Sequence, residues 1–216
     1  MEIIRYAELK AQPWRNGGGV TREVASHPAA ASSVPGTGDG GWDWRVSIAD
    51  VSKAGDFSAF PGMDRVLTVL EGELLLLSVD GAEHPLEKYR PFRFSGDAAA
   101  AGSLPTGDIR DLNVITRNGV FKGYTSIIEL SKKRAHPVFA GQLGILLQGQ
   151  AAVTPGTAGA SQADVVPAGS AAGAAGTQAG PTTLARYDAV VGSDTDTPEI
   201  LGRGFLAVVS IDPVAG

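Results

Sequence analysis

The stretch VLTVLEGELLLLSVDG, at residues 66–81, decides the fold class of this chain. Its two apolar runs each have the length of one strand and are rich in Val and Leu. Glu71-Gly72-Glu73 separates the runs, and Asp80-Gly81 follows the second run, which is the stronger signal for a hairpin turn. The pattern therefore predicts strand, turn, strand and turn.

The same pattern returns later in the chain and predicts two similar lobes. LEGEL at residues 70–74 recurs loosely as LQGQA at 147–151, and LEKY at 86–89 corresponds to LARY at 184–187. We therefore expect an N-terminal lobe at residues 1–134, with the ligand pocket, and a C-terminal lobe at 135–216. Within the second lobe, an Ala/Gly-rich stretch at about 154–183 predicts a long loop.

Other segments have the alternation of half-buried strands. In Trp44-Arg45-Val46-Ser47-Ile48 the polar and apolar side chains fall on opposite faces. The segment 111–117 places Asp111, Asn113 and Arg117 on one face, and Asn118-Gly119 after it predicts a hairpin into the strand at 124–128. With 29 glycines and 13 prolines, the 216-residue chain is expected to be all-β and rich in turns.

Composition argues against several classes of function. The net charge is −5 and no basic stripe is present, which argues against a nucleic-acid partner. The absence of cysteine removes disulfides, thiolate metal sites and cysteine nucleophiles. No apolar run reaches the ~18 residues of a membrane span, and the amino terminus lacks a signal-peptide pattern. We therefore expect no membrane partner and a cytoplasmic location.

An ordered series of motifs in the first 130 residues resembles the HutD/Ves family. The motifs are WRNGGG at 14–19 with Thr21, WRVS at 44–47, Gly55, FSAFPG at 57–62 with Arg65, PFRFSGD at 91–97, and DLN at 111–113 with Arg117. The resemblance implies a bicupin of the RmlC-like superfamily, with two consecutive double-stranded β-helix, or jelly-roll, barrels in one chain. It also implies an association with histidine utilisation.

A metal centre is not expected from this sequence. Metal-binding cupins place two histidines and a glutamate at the first hairpin, where this chain has Pro61-Gly62-Met63-Asp64-Arg65. The histidines, His27, His84 and His136, are far apart, whereas zinc and iron sites need clustered imidazoles. We predict no metal and no cofactor.

Arginines on predicted strands indicate an anionic ligand, because a guanidinium in a barrel lumen can bind a carboxylate through two hydrogen bonds. An alternative is that Arg45, Arg65 and Arg117 lie on the solvent face or form structural ion pairs with Asp97 and Asp111. On the first interpretation we predict eleven ligand-binding residues: Arg15, Asn16, Arg45, Ser47, Ser58, Phe60, Arg65, Asp97, Asp111, Asn113 and Arg117.

Three hypotheses for the function follow. The first is a regulatory, non-catalytic bicupin that binds a small carboxylate metabolite, with urocanate or formylglutamate suggested by the family resemblance. The second is a metal-free isomerase or lyase in which a buried Asp97 or Asp111 acts as the base. The third is a structural or interaction protein, including a homodimer formed through an exposed sheet.

Overall fold

The structure is a computed structural model that describes residues 1–28, 41–156 and 180–215. Apart from one short turn of 3₁₀ helix at Tyr6–Glu8, the regular structure of these residues is β, as predicted. The predicted loop at 154–183 falls largely outside the described residues. The strands are β1 (Glu2–Ile4), β2 (Ala11–Pro13), β3 (Gly19–Pro28), β4 (Trp42–Val51), β5 (Gly55–Asp56), β6 (Met63–Glu71), β7 (Leu74–Val79), β8 (Ala82–Glu87), β9 (Phe92–Ser95), β10 (Ala100–Ser103), β11 (Ile109–Arg117), β12 (Phe121–Leu130), β13 (His136–Pro137), β14 (Gln142–Thr154), β15 (Thr182–Leu184), β16 (Ala189–Val191) and β17 (Glu199–Pro213).

The strands form three antiparallel sheets. A six-stranded sheet, in the order β2-β3-β4-β11-β6-β9, and a four-stranded sheet, β5-β10-β7-β8, make the first lobe. A seven-stranded sheet with the main order β1-β16-β14-β17-β12 makes the second. The predicted turn at Asp80-Gly81 joins β7 to β8 with both residues at positive φ, whereas the turn at residues 71–73 carries the chain from one sheet to the other.

The hydrogen-bonded sheets do not follow a boundary at residue 134. Strand β1, at the amino terminus, pairs with β16, and β12 pairs along its whole length with β17. The expected hairpin between β11 and β12 is wrong, because β11 pairs with β4 and β6 instead. The turn at Asn118-Gly119 therefore passes the chain to the second lobe.

The internal repeat has a structural counterpart in the backbone. Tyr89 and Tyr187 adopt positive φ values of 64° and 69°. The Tyr89 N–H donates to the carbonyl of Val69 at 2.8 Å, and the Tyr187 N–H donates to that of Leu146 at 2.6 Å. The two acceptors occupy equivalent positions, one residue before LEGEL and LQGQA. The two lobes thus contain the same backbone turn, at Tyr89 and at Tyr187.

Buried apolar side chains occur on both faces of the central strands β4, β6 and β11. One face packs against the second lobe through a core that includes Val46, Ile48 and Leu112. The other face joins the core of the first lobe, with Leu67 and Val69 among its residues. Burial on both faces fixes the position of these strands, and their inward-facing side chains are held between two packed layers.

No helix in the described part of the chain is long and apolar enough to cross a membrane.

Candidate functional site

A cavity of about 460 Å³ lies in the first lobe. It is on the face of the six-stranded sheet opposite the core between the lobes, because its lining side chains alternate with core residues along β4 and β11. Nine of the eleven predicted site residues line it: Arg15, Asn16, Arg45, Ser47, Ser58, Phe60, Arg65, Asp111 and Asn113.

Strand β11 provides the middle of the cavity floor. Asp111, Asn113 and Ile115 alternate along the strand and line the cavity, while Leu112 and Val114 point into the core between the lobes. Ile115 pairs with Arg45 on β4 and with Arg65 on β6, and Asn113 pairs with Ser47 and Leu67. Asp111, which pairs with Ala49 and Val69, is four residues from Ile115 along β11. The two arginines therefore flank one end of the cavity floor, and Asp111 lies toward the other end.

Arg65 is the most deeply buried cation of the site. The residue is 2% exposed, and its guanidinium lies 4.9 to 5.5 Å from the ring centres of Phe57, Phe60 and Phe94. Its Nη1 donates to the Ser58 carbonyl at 3.1 Å, whereas its buried Nε has no hydrogen-bond partner among the described residues. Most of its hydrogen-bonding capacity is therefore unused.

Arg65 keeps its charge at neutral pH despite its burial. Removal from water lowers the pKa of its guanidinium to about 10, and the negative charge of Asp111 opposes this shift. In the described part of the chain, no carboxylate oxygen lies within 4 Å of it, so the cation has no ion-pair partner there. A buried guanidinium in this state attracts an anion.

Asp111 is buried as completely, with 1% exposure. Burial raises the pKa of its carboxyl to about 7, the nearby charge of Arg65 lowers this value, and the charge of Asp50 raises it. Its Oδ2 atom has no hydrogen-bond partner among the residues that the structure describes. The carboxyl group is therefore an open acceptor when ionised and an open donor when protonated.

Asn113 and Arg45 complete the polar floor. The buried Oδ1 of Asn113 also lacks a hydrogen-bond partner within the described ranges. The Nε of Arg45 lies 2.9 Å from Glu23 Oε2, but without the alignment of a hydrogen bond. Glu23 thus offsets part of the charge of Arg45 and leaves its Nε without a hydrogen-bond partner among the described residues.

The turn between β2 and β3 forms one wall of the cavity. Trp14 Nε1 donates to Thr21 Oγ1 at 2.7 Å, and the Gly18 N–H donates to Asn16 Oδ1 at 2.9 Å. The approach of Gly19 is close, since a Cβ there would lie 2.5 Å from the Asp50 carbonyl. The glycine run therefore lets this turn lie against β4 and places Trp14 at the cavity.

Asp97 and Arg117, the other two predicted site residues, lie outside the cavity lining. Asp97 is exposed, and its Oδ1 accepts from the Gly62 N–H at 3.0 Å, which stabilises the loop before β6. Arg117 lies at the end of β11, where it pairs with Asp43 at 2.7 Å and donates to the Trp42 carbonyl. Arg45 and Arg117 are ion-paired with Glu23 and Asp43, not with the Asp97 and Asp111 of the alternative interpretation.

Several lining residues were not predicted from the sequence. Ala49 and Ile115 share the inward face of β4 and β11 with predicted residues, and Thr21 on β3 pairs with Ala49, so alternation combined with the strand register would have identified all three. The others come from the chain around the β2–β3 turn and from the segment before β6, whose positions depend on tertiary packing. They are Gln12, Pro13, Trp14, Asp56 and Phe57.

The described residues contain no group of three or more His, Asp or Glu side chains that could hold a metal ion. His27 stacks on Trp44, and His84 packs against Phe92. These imidazoles therefore take part in separate aromatic contacts.

The sequence matches the HutD family model over residues 6–208. It is 40% identical to Protein Ves of Citrobacter koseri over 119 residues, which cover 54% of this chain and 58% of Ves. The match thus spans little more than half the length of that curated relative.

Solved structures share the whole fold. A conserved protein of unknown function from Pseudomonas aeruginosa PAO1 superposes with a TM-score of 0.72 at 27% identity, and HutD from Pseudomonas fluorescens SBW25 with 0.71 at 23%, each over 99% of both chains. A cupin 2 conserved barrel domain protein from Leptotrichia buccalis gives 0.54 at 8% identity, over 99% of this chain and 96% of that one. The predicted cupin-like, two-lobed β-fold is confirmed.

Proposed function

The chain belongs to the HutD family, and we propose that its first-lobe cavity binds a small carboxylate metabolite in a regulatory rather than a catalytic role. One observation carries the proposal, which is the buried and charged guanidinium of Arg65 without a carboxylate partner in the described chain. A carboxylate ligand would supply the missing negative charge.

The energetic argument rests on desolvation. Taking a charged group out of water costs several kcal/mol unless an opposite charge and hydrogen bonds replace the water. Arg65 has one carbonyl acceptor and three aromatic faces, which compensate only part of this cost. A carboxylate can accept two parallel hydrogen bonds from a guanidinium, which supports this class of ligand over a neutral one.

Arg45 supports a ligand with a second polar or anionic group. Arg45 and Arg65 pair with Ile115 from the strands on either side of β11. Their backbones are therefore two strand spacings, or roughly 10 Å, apart. A ligand that extends between them could interact with both cations. The aromatic rings of Trp14, Phe57 and Phe60 would wall its apolar part.

Urocanate and formylglutamate are the ligands that we favour within this class. The volume of about 460 Å³ is within the usual range for small-molecule sites. The association with histidine breakdown comes from the name of the family alone. A regulatory role would use the cavity as a sensor of an intermediate of that pathway.

Metal-free catalysis is a second candidate, and Asp111 favours it. Burial raises the pKa of this carboxyl to about 7, which is suitable for a general base near neutral pH. A substrate held by Arg65 with an acidic C–H near Asp111 could then lose a proton to it. Exchange of ligand hydrogen with deuterated solvent would reveal this activity.

Calorimetric titration of the metal-free protein with urocanate, formylglutamate and glutamate tests the proposal. We expect one of these carboxylates to bind, and Arg65→Met to weaken the binding at least tenfold. Arg90→Met is the matched control, because Arg90 is exposed and outside the cavity. Binding that needs an added divalent metal, or that is unchanged by Arg65→Met, would contradict the proposal. Steady product formation would favour the enzyme.

A further inference from the structure

The cavity floor has donors at one end and acceptors toward the other. Arg65 and Arg45 flank Ile115, Asn113 is two residues farther along β11, and Asp111 is two residues beyond that. The unpartnered buried atoms follow the same order, with guanidinium nitrogens first and then the oxygens Asn113 Oδ1 and Asp111 Oδ2. A bound molecule would therefore meet different chemistry at its two ends.

We propose that Asp111 determines the specificity of the cavity, by selecting carboxylates that carry an N–H or O–H donor at the end away from the carboxylate. This inference rests on the proposed function, because it assumes that Arg65 holds the carboxylate. It adds the chemical class of the far end of the ligand, which would be an amide, a protonated ring nitrogen or a hydroxyl group.

Asp111 is better suited to this selection than its polar neighbours. An ionised carboxylate only accepts hydrogen bonds, whereas the amide of Asn113 can rotate to present its NH₂ group and the Ser47 hydroxyl can donate or accept. Asp111 is also 1% exposed, so bound water does not easily replace a missing donor of the ligand. A ligand without a donor would leave this buried oxygen unpaired.

A simpler interpretation is that Asp111 only neutralises Arg65, but the lack of a direct contact between the two side chains argues against it. The two groups interact electrostatically, but their side chains form no ion pair within 4 Å. Asp111 also receives no hydrogen bond at Oδ2 from any described residue. A structural counter-ion would be expected to contact its cation directly.

The test compares two planar ligands of the same length that differ in one donor. Urocanate has a ring N–H, while 3-(2-furyl)acrylate has a furan oxygen and no donor. Calorimetry at pH 8, with Asp111 ionised, should show urocanate binding at least tenfold more tightly, because the furan compound leaves a buried, desolvated acceptor unpaired. This comparison uses the wild-type protein and does not depend on the folding of a variant.

Variants then assign the preference to Asp111. In Asp111→Leu we expect the preference for urocanate to disappear, while 3-(2-furyl)acrylate still binds through Arg65. Asp108→Asn is the control, since Asp108 is exposed and does not line the cavity. Its preference should equal that of the wild type.

The outcomes separate the inference from the proposed function. Equal affinity of the wild type for the two ligands, or a preference that survives in Asp111→Leu, would overturn the role of Asp111 and leave carboxylate binding intact. If formate and acetate bind but neither ring compound does, the inference also fails. If no carboxylate binds, both proposals fail.

Discussion

Arg65 and Asp111 face one cavity from neighbouring strands, are 2% and 1% exposed, and form no ion pair within 4 Å. Buried opposite charges in the same cavity that stay apart are costly for folding unless a ligand lies between them. This relationship determines how the protein should respond to pH and to substitution.

The first prediction concerns the pH dependence of stability. Burial raises the pKa of Asp111 from 3.8 to about 7, with Arg65 opposing and Asp50 adding to the shift. Between these pH values the folded state keeps a proton that the unfolded chain releases, so the free energy of unfolding falls as pH rises. In Asp111→Asn the side chain stays neutral. The free energy of unfolding of this variant, relative to the wild type, should therefore rise by on the order of 2–4 kcal/mol from pH 4 to pH 8. Urea denaturation at several pH values measures the difference. The same pH dependence of the free energy of unfolding in the variant and the wild type would contradict the prediction.

The second prediction concerns Arg65 and stability. At pH 5, where Asp111 is neutral, Arg65→Met should change the free energy of unfolding by less than about 1 kcal/mol, because relief of desolvation offsets the lost ring contacts. The same variant should raise the pKa of Asp111 further, since Arg65 is the group that lowers it. Urea denaturation and the infrared carboxyl band measure the two effects. A loss of several kcal/mol at pH 5 would make Arg65 a structural residue instead.

The third prediction concerns the close approach of strands β14 and β17 at Gly149. A Cβ at Gly149 would lie 2.0 Å from the Arg203 carbonyl oxygen, and its φ is +100°. Gly107 has the same φ with no atom within 4 Å, so it isolates backbone strain from the clash. We expect Gly107→Ala to lower the free energy of unfolding by about 1 kcal/mol. Gly149→Ala should lower it by more than about 3 kcal/mol or prevent folding. Similar costs in urea denaturation would show that the close approach contributes little.

The fourth prediction concerns the contact between the lobes. Glu71 Oε1 pairs with Arg110 at 2.8 Å and Arg186 at 3.0 Å, and it also accepts from the Tyr187 hydroxyl. Glu71→Gln should lower the free energy of unfolding by about 1–3 kcal/mol, because three donors share this one carboxylate oxygen. Glu73→Gln, an exposed change in the same turn, is the control and should cost less than about 0.5 kcal/mol. Equal effects of the two variants would argue that the network adds no stability.

The sequence by itself determined the strands and the direction of their side chains. Period-two alternation placed Arg45 with Ser47, and Asp111 with Asn113, on common faces, and all four side chains line the cavity. It worked because the alternation of side chains along a strand is a local property of extended backbone. The repeat was equally local, since each lobe carries its own turn residues.

The tertiary structure alone decided the sheet partners and the boundary of the site. Strand β12 pairs with β17 rather than with its neighbour β11, and β1 crosses to the second lobe, because burial of apolar faces outweighs nearness in sequence. The same packing separates three arginines that look alike in the sequence. Arg117 pairs with Asp43 beyond the cavity and Arg45 pairs with Glu23, whereas Arg65 is enclosed by three aromatic rings and has no carboxylate of the described chain within 4 Å. Only the assembled barrel creates that difference in desolvation.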